Sequence, residues 1–470
     1  MNLTLADCLK VKHLATFDIG GREKLVFTGV STDSRTIQRG NLFVALRGEK
    51  FDGHDFLTAA IQAGAVTAIV DHRWAETNSA FLASLAVPRI VVGNTTAALG
   101  ELARLYRRKF KIPVLAIGGS NGKTTTKEMI RAVLGTTLRV LSTEGNLNNH
   151  IGVPQTLFNL DRKHRVAVIE MGTNHPGEIR ALCEIAEPTH GLITNIGREH
   201  LEFFGSVSGV AKAETELFDW LRGVRKRTPV VFLNKDDSHL VKKAKGLKGF
   251  SYSLKNSAAD VRGKVVGFDA NGCARVQVRP KGKTSFEIRL SVPGQHNVSN
   301  AIAAATVGLA FRVPPKKIQW ALHNFTAPAK RMEVLRINGF IVLNDTYNSN
   351  PDSVLAALQT MQSFETKGKR IAVLADMLEL GSSAEKEHRQ IGSVIARYGI
   401  EYLLTFGPLS RCTSMEAKTK FKAHYEQKNM LAEYLAELLT PGDVVLIKGS
   451  RGMKMEDIVT FLKERFAKAA

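Results

Sequence analysis

Residues 113–129 read PVLAIGGSNGKTTTKEM, an apolar run followed by glycines, by Gly-Lys-Thr and by a helical pattern. This order predicts a strand, a loop and a helix, which is the context that a phosphate-binding loop requires. Glycines let backbone N–H groups turn toward an anion, and the helix adds the positive end of its dipole. Lys123 would then reach the terminal phosphates, and the Thr124 hydroxyl would bind Mg²⁺.

The loop departs from the standard phosphate-loop pattern at one position. That pattern has a glycine five residues before Gly122, where this chain has Ile117. A glycine-rich strand-to-helix turn with a chance lysine is therefore the alternative interpretation. The residues predicted to cradle the phosphates are Gly119, Ser120, Asn121, Gly122, Lys123, Thr124 and Thr125.

Length and composition limit the class of protein. A chain of 470 residues is too long for one ordinary core, so we expect two or three domains, and 44% hydrophobic residues predict folding throughout. No apolar run approaches the roughly 18 residues of a membrane span, and the first eight residues lack the basic and apolar regions of a signal peptide. We therefore expect a cytoplasmic protein without a membrane span.

The net charge of +21 admits two classes of partner, nucleic acid and the anionic substrates of an enzyme. Basic clusters occur at 107–109, 222–227 and 242–248, without the interleaved aromatic residues that stack on bases. This pattern favours a solvated basic surface. A basic, ATP-dependent nucleic-acid binder is the alternative from another functional class.

Strand-like and helix-like segments divide the chain into three predicted domains. Residues 1–109 form the first. Residues 110–312 alternate strands and helices as in a mostly parallel, doubly wound sheet, with hairpins over 255–292. Residues 313–470 form a second doubly wound sheet without a phosphate loop. The fold class is therefore α/β.

Polar side chains follow several predicted strands, at the edge where parallel sheets bind ligands. Glu170 ends one central strand, while Asn148 and His200 follow two others. A carboxylate and an imidazole beside a phosphate loop suit a Mg²⁺ site, although a helix cap and a surface histidine are alternatives. Asn297 and Asn300 share one helix face, where amides suit an adenine edge, a ribose or a helix cap.

Strand-end polar residues also occur in the two outer segments. In the first they are possible ligand contacts, namely Ser34, Arg35, Asp52 and His54. The third segment has such residues but no phosphate loop, which makes it a candidate for binding a second substrate. Its strand-end residues include Asp345, Asn348, Asn350, Lys448, Ser450 and Arg451.

Taken in order, these motifs resemble the Mur ligase family over nearly the whole chain. The resemblance rests on GSNGKTT at 119–125, GNLNNHIGVP at 145–154, NIGREHLEFFGS at 195–206 and HNVSNA at 296–301. It explains the missing glycine, because the family has a variant phosphate loop. It implies an N-terminal UDP-substrate domain, a central ATP-binding domain with a doubly wound sheet, and a C-terminal Rossmann-like domain for the incoming amino acid or dipeptide.

Two further motifs narrow the resemblance within the family. NDTYNSNP at 344–351 and KGSRGMKME at 448–456 are similar to those of members that add D-alanyl-D-alanine to UDP-N-acetylmuramoyl-tripeptide. The implied reaction is amide ligation through an acyl phosphate, with ATP and Mg²⁺ as cofactors. We expect a monomer that binds no nucleic acid. A family member that adds a single amino acid, or glutamate to folate, is the nearer alternative.

The resemblance implies a role for each matched residue. Lys123, Glu170, His200 and Glu214 would be catalytic. Metal would be bound by Thr124, Glu170, His200 and Glu214. ATP would bind the phosphate loop together with Asn297, Asn300, Arg331 and Asp345. Substrate would be bound by Ser34, Arg35, Asp52 and His54 at the uridine diphosphate, by Asn148, and by Asn348, Asn350, Lys448, Ser450 and Arg451 at the dipeptide.

The chain departs from the family at one of these positions. Members usually carry a lysine, modified by CO₂ to a carbamate, on the helix after the histidine motif. In VAKAETELF at 210–218 that position is Glu214, whereas Lys212 lies two residues away and faces elsewhere on the helix. We hypothesise that Glu214 supplies the negative oxygen directly. A solvated helix glutamate is the alternative.

Overall fold

The computed structural model describes residues 1, 3–224 and 228–467. Within these ranges the chain forms three α/β units, each with its own main sheet. The basic cluster at 222–227 falls partly outside the described residues, at 225–227. None of the described helices combines the length and the apolar character needed to cross a bilayer.

The first unit contains a small, mostly parallel sheet. The strands of this unit are β1 (Leu3–Thr4), β2 (Ala15–Phe17), β3 (Val26–Phe27), β4 (Gly29–Ser31), β5 (Asn41–Val44), β6 (Ala65–Asp71) and β7 (Arg89–Val92). Its helices are α1 (Leu5–Cys8), α2 (Leu57–Gln62), α3 (His72–Thr77), α4 (Ser79–Ser84) and α5 (Thr95–Arg107). The sheet has the order β2-β7-β6-β5-β4, with β2 antiparallel, and β1 pairs separately with β3.

The central unit contains nine strands in one sheet. They are β8 (Val114–Gly118), β9 (Val140–Ser142), β10 (Val166–Glu170), β11 (His190–Ile193), β12 (Val230–Asn234), β13 (Gly249–Ser253), β14 (Val261–Phe268), β15 (Cys273–Pro280) and β16 (Phe286–Pro293). The helices are α6 (Lys123–Gly135), α7 (Gly152–Phe158), α8 (Glu178–Ala186), α9 (Leu201–Phe204), α10 (Val207–Glu214), α11 (Glu216–Gly223), α12 (Ser238–Lys243) and α13 (Gln295–Ala310). The order is β16-β15-β14-β13-β12-β11-β8-β10-β9, so the predicted hairpins extend this sheet as antiparallel strands.

The C-terminal unit is a second doubly wound sheet. Its strands are β17 (Glu333–Ile337), β18 (Phe340–Asp345), β19 (Arg370–Ala375), β20 (Tyr402–Phe406), β21 (Phe421–Tyr425) and β22 (Val444–Lys448). The helices from residue 313 onward are α14 (Pro315–His323), α15 (Pro351–Gln362), α16 (Ala384–Val394), α17 (Ser410–Glu416), α18 (Lys428–Leu438) and α19 (Glu456–Ala467). The order β17-β18-β22-β19-β20-β21 is parallel except at β17. The α/β prediction with two doubly wound sheets is confirmed.

Helices on both faces bury the central sheet. Every residue of β8 and β10 is buried, as expected for parallel strands that read as apolar runs. Helices α6, α13 and α14 pack on one face, and α5, α7 and α8 lie together on the other. By packing, α14 and Phe325 belong to the central core, although the sequence prediction placed residues from 313 onward in the third domain.

One buried carboxylate anchors the N-terminal segment. Asp7 forms a capping box with Thr4 at α1, and Lys109 Nζ donates to its Oδ2 at 2.5 Å. Burial alone would raise the pKa of Asp7, but hydrogen bonds from Lys109, Thr4 and Lys10 lower it to about 2. The ionised carboxylate therefore stabilises the folded state.

We expect Asp7→Asn to lower the free energy of unfolding by about 2 kcal/mol at pH 7. The folded pKa lies below the ordinary value of 3.8, so this contribution is complete above that pH and is lost as the pH falls toward 2. Chemical denaturation between pH 7 and pH 2 measures it. Asp219→Asn removes an exposed partner of Arg222 and is the control with a small effect. Equal stability of Asp7→Asn and the parent at pH 7 would contradict the assignment.

Candidate functional site

A cavity of about 900 Å³ lies between the central and C-terminal units. Its walls are formed by the loop between β8 and α6, the segments after β10 and β11, the first turn of α13, and the segments after β18 and β22. The carboxyl ends of parallel strands from two sheets thus face one space. This is where open α/β sheets bind ligands, and the volume suits a nucleotide-sized molecule.

The predicted phosphate loop connects β8 to α6 at the floor of this cavity. Gly119 (φ +115°) and Gly122 (φ +80°) adopt the left-handed conformation that favours glycine. A Cβ atom on Gly119 would lie 2.2 Å from Thr194 Oγ1. The N–H groups of Ser120 and Asn121 donate to the backbone and side-chain oxygens of Asn195. The segment after β11 therefore fixes the shape of the loop.

Lys123 begins α6 and holds its ammonium group inside the loop. Its Nζ donates to Gly119 O at 2.5 Å and lies 3.4 Å from Glu199 Oε2 and 4.0 Å from Glu214 Oε1. Burial would lower the pKa of Lys123, but the nearby carboxylates of Glu199, Glu214 and Glu170 raise it above its ordinary value. The lysine is therefore a permanent cation at the position predicted for the terminal phosphates.

Thr124 and Glu170 meet beside the loop. Strand register places Glu170 opposite Ile117, and Glu170 Oε1 accepts hydrogen bonds from Thr124 Oγ1 at 3.1 Å and Asn148 Nδ2 at 3.0 Å. Glu170 Oε2 is buried and has no hydrogen-bond partner among the described residues. These three predicted site residues are thus brought together, with one carboxylate oxygen left for a ligand.

Glu214 is fully buried at the end of α10, so it is not the solvated helix glutamate of the alternative. Gly119 N–H donates to its Oε2 at 2.7 Å, and its Oε1 has no hydrogen-bond partner in the described chain. Burial, opposed by the charge of Lys123, raises the pKa of Glu214 to about 7. Lys212, by contrast, is exposed.

His200 lies between two carboxylates, one from each of the two units. Its Nδ1 is 2.7 Å from Glu379 Oε2 in the C-terminal unit, and its Nε2 is 3.9 Å from Glu199 Oε2. No group of three or more His, Cys, Asp or Glu side chains in the described ranges is arranged to hold a metal ion. Thr124, Glu170 and His200 therefore line one cavity, whereas Glu214 lies outside its lining, against Gly119 of the loop. The four predicted metal ligands do not converge on one point among the described residues.

The residues predicted for the nucleotide line the same cavity as the phosphate loop. Asn297 Nδ2 donates to Pro293 O, and Asn300 Nδ2 donates to Asn297 Oδ1, so the pair is linked on α13. The amide of Asn300 reaches Gly122, where a Cβ atom would lie 2.7 Å from Asn300 Oδ1. The α13 amides therefore adjoin the phosphate loop.

On the C-terminal side, Arg331 stacks its guanidinium group 3.8 Å from the ring centre of Tyr347. Asp345 Oδ1 accepts from the Met332 N–H at 3.0 Å. Arg331, Tyr347 and Asp345 all line the cavity. The stack and the hydrogen bond hold this wall in place without a ligand.

The five dipeptide candidates have different environments. Asn348 and Arg451 are exposed and line the cavity, whereas Lys448 is buried at its edge. Asn350 caps α15 and also donates to Asn121 Oδ1 at 2.9 Å. Ser450 is buried outside the cavity lining, where its Oγ accepts from the Leu378 N–H at 2.8 Å. Its hydroxyl thus stabilises the neighbouring loop, and its contact with a dipeptide stays a prediction.

The four residues predicted for uridine diphosphate lie outside this cavity, in the first unit. They are Ser34, Arg35, Asp52 and His54. The side chain of His54 is fully buried, with Nδ1 against Asp52 and Nε2 accepting from the Asp71 N–H at 2.9 Å. Both ring nitrogens of His54 are therefore engaged within the fold. The ligand contacts of Ser34, Arg35, Asp52 and His54 stay predictions.

Three cavity residues were missed by sequence reasoning. Glu199 pairs with Lys123, Tyr347 stacks with Arg331, and Glu379 contacts His200. Glu199 and Tyr347 lie inside the quoted motifs, directly before the predicted site residues His200 and Asn348. This position in the sequence could have identified them. Glu379 follows β19 by a few residues, and its contact depends on how the two units meet.

Lys448 allows a direct test of the C-terminal wall. Its buried Nζ donates to Asp345 Oδ2 at 2.7 Å and to Asn348 O at 2.8 Å. We expect Lys448→Met to lower kcat/KM for the second substrate at least about tenfold, because a hydrogen bond to a charged group contributes about 1.5–3 kcal/mol. Steady-state kinetics measure this, with the exposed Lys454→Met as control. If Lys448→Met kept the kinetics of the parent, Lys448 would have no part in binding the second substrate.

Three family models match the chain in sequence order. The model for the "Mur ligase family, catalytic domain" matches residues 26–107, the "Mur ligase middle domain" matches 117–308, and the "Mur ligase, glutamate ligase domain" matches 330–451. Together these matches cover most of the chain.

Full-length relatives and solved structures agree with these models. The chain is 36% identical over 454 residues to UDP-N-acetylmuramoyl-tripeptide–D-alanyl-D-alanine ligase of Bacillus subtilis, and 34% over 446 residues to the ligase of that name from Escherichia coli, with 94% of each chain covered. It superposes on MurF from Acinetobacter baumannii with a TM-score of 0.83, 30% identity and 93% coverage of each chain. For MurF from Thermotoga maritima in complex with ADP, the TM-score is 0.82 and the sequence identity is 25%, and the superposition covers 94% of this chain and 98% of that one.

Proposed function

This chain belongs to the Mur ligase family, and on that premise we propose that it joins D-alanyl-D-alanine to UDP-N-acetylmuramoyl-tripeptide in an ATP-dependent reaction. The products are UDP-N-acetylmuramoyl-pentapeptide, ADP and phosphate, and the process served is peptidoglycan precursor synthesis. The observation that carries the proposal is the shared cavity, in which the phosphate loop of the central unit faces the strand ends of the C-terminal unit. The reaction needs one such cavity, because two substrates and a nucleotide must come together in it.

The phosphate loop supports the first half of the reaction. Backbone N–H groups at the start of α6 face the cavity, and Lys123 would exchange Gly119 O for the terminal phosphate of ATP. Its positive charge offsets the repulsion between that phosphate and the carboxylate of the tripeptide. The carboxylate is thereby activated as an acyl phosphate, which the amine of the dipeptide then attacks.

The buried carboxylates around the phosphate loop suit Mg²⁺ by their chemistry. Three of their oxygens, from Glu170, Glu199 and Glu214, have no hydrogen-bond partner among the described residues, and hard cations prefer such oxygens. Thr124 would hold one ion, and a second would draw together Glu170, His200 and Glu214, which do not converge on one point in the described structure. When bound, the ions would supply charge stabilisation to the transferred phosphate.

The C-terminal wall supports the second half. Arg451 and Asn348 would bind the carboxylate and amide groups of D-alanyl-D-alanine, while Lys448 holds Asn348 in place. Seating the dipeptide here brings its amine toward the phosphate loop and excludes water from the acyl phosphate. Because all substrates are water-soluble anions or zwitterions, we propose a cytoplasmic enzyme, and we expect a monomer by light scattering.

A product assay tests the proposal. Purified protein is incubated with ATP, Mg²⁺, UDP-N-acetylmuramoyl-tripeptide and D-alanyl-D-alanine, and mass spectrometry detects the pentapeptide product. Parallel reactions replace the dipeptide by single amino acids. Pentapeptide formed only with D-alanyl-D-alanine supports the proposal, whereas a product with a single amino acid assigns the chain to another branch of the family. Retention on DNA that falls steeply with salt, without ligase activity, would favour the nucleic-acid alternative.

A further inference from the structure

Arg198 connects the two units that enclose the cavity. It lies in the segment after β11 of the central unit, and its guanidinium group lies 2.5 Å from Asp352 Oδ1 and 2.8 Å from Glu387 Oε2. Asp352 is in the first turn of α15 and Glu387 is in α16, so both acidic partners belong to the C-terminal unit. The backbone N–H of Arg198 also donates to Asp352 Oδ2 at 2.7 Å.

The contact is close and partly shielded from water. The side chain of Arg198 is 20% exposed, that of Glu387 is 10% exposed and that of Asp352 is 36% exposed. A Cβ atom on Gly197 would lie 2.7 Å from Asp352 Oδ2, so the missing side chain allows the approach. Charge-assisted contacts of this kind, partly buried and made by several N–H groups, are stronger than exposed ion pairs.

The neighbours of Arg198 contact the catalytic groups. Gly197 N–H donates to Ser120 Oγ of the phosphate loop at 2.8 Å, and the Glu199 carboxylate lies 3.4 Å from Lys123 Nζ. The segment 197–200 therefore touches the phosphate loop on one side and the C-terminal unit on the other. Arg198 supplies the ion pairs that join these two contacts.

We infer that Arg198 is a positioning residue that holds the C-terminal unit closed over the phosphate loop during ligation. It touches no reacting atom. It fixes α15 and α16 relative to the segment 197–200, which aligns the amine of the second substrate with the activated carboxyl group and limits the entry of water. The kinetic consequence rests on the proposed function, whereas the closure itself does not.

The test compares Arg198→Ala with the parent, with the conservative Arg198→Lys and with a matched control. Arg389→Ala is that control, because Arg389 of α16 also pairs with a carboxylate, that of Glu416, but this pair lies within the C-terminal unit. Small-angle X-ray scattering with bound ADP should give a larger radius of gyration for Arg198→Ala than for the parent and Arg389→Ala. Arg198→Lys should be intermediate, since lysine keeps the charge but not the fork.

Kinetics provide the second readout. We expect Arg198→Ala to lower kcat at least about tenfold and to raise KM for the dipeptide, while KM for ATP changes less than about twofold. More ADP should be released per amide formed, because water reaches the acyl phosphate. A purely structural role would move none of these ratios. The double variant with Arg198→Ala and Glu387→Gln should lose less activity than the product of the losses in the two single variants.

Two outcomes would overturn the inference. One is an Arg198→Ala protein that is as compact as the parent and releases one ADP per amide. The other is full additivity of the Arg198 and Glu387 substitutions in a protein that has kept its fold by circular dichroism. If the parent forms no pentapeptide, the proposed function fails, and the scattering data still decide whether Arg198 closes the cavity.

Discussion

Lys123→Ala is expected to lose at least about a thousandfold of the ligase turnover, the largest effect that we predict for one residue. The carboxylates of Glu199, Glu214 and Glu170 would then lie beside the phosphates of ATP without the Lys123 ammonium group that offsets their charge. Repulsion between like charges in a buried site is far stronger than in water. Coupled measurement of ADP and pentapeptide quantifies the loss.

Lys212→Ala is the matched control for this experiment. Lys212 lies on α10 two residues before Glu214, but its side chain is exposed. We expect it to keep the activity of the parent. Thermal unfolding of both variants separates a catalytic loss from a folding defect. If folded Lys123→Ala turned over at the rate of the parent, the phosphate loop would have no catalytic role and the proposed function would fall with it.

Glu214→Gln should lower turnover by about a hundredfold and weaken the dependence on Mg²⁺. Glutamine keeps an oxygen that can accept from the Gly119 N–H, so the loop keeps its shape while the charge is lost. Burial raises the pKa of Glu214 to about 7, and a cation next to the unpartnered Oε1 would keep the group ionised. Titration of activity with Mg²⁺ at pH 7.5 measures how the dependence on Mg²⁺ differs between Glu214→Gln and the parent.

Glu214→Lys extends this test to the departure from the family. If Glu214 stands in for a carbamylated lysine, the variant should be inactive without CO₂ and should regain part of its activity in bicarbonate. Lys212→Ala should respond to bicarbonate as the parent does. Full activity of Glu214→Gln, or a carbamate on Lys212 in a crystal structure, would reject the substitution hypothesis.

Much of the fold could be predicted because its strands are buried on both faces. The runs 114–118 and 166–170 are continuous and apolar, and glycines and polar residues mark their ends. The strands β17 and β21 lie at the edges of the C-terminal sheet, where half-buried, mixed residues leave a weaker pattern. Helix α14 packs in the central core, which the predicted boundary at 312 did not indicate, because a sequence does not state which core an amphipathic helix joins.

Only those site residues could be predicted whose place follows from the ends of neighbouring strands. Lys123, Thr124 and Glu170 follow from local order along two adjacent strands. Ser450 and His54 also stand beside strand ends, but their side chains turn into the protein and bond to its backbone. Which way a polar side chain turns depends on tertiary packing, and so does the contact between Glu379 and His200.

The position of α14 sets the length of the connection between the two units. With Phe325 packed in the central core and β17 beginning at Glu333, residues 326–332 alone bridge them. Fully extended, this tether could span no more than about 24 Å. The tether therefore limits how far the C-terminal unit can move from the central unit. Since Arg331 lies on the tether itself, any such movement must also displace a side chain that lines the cavity.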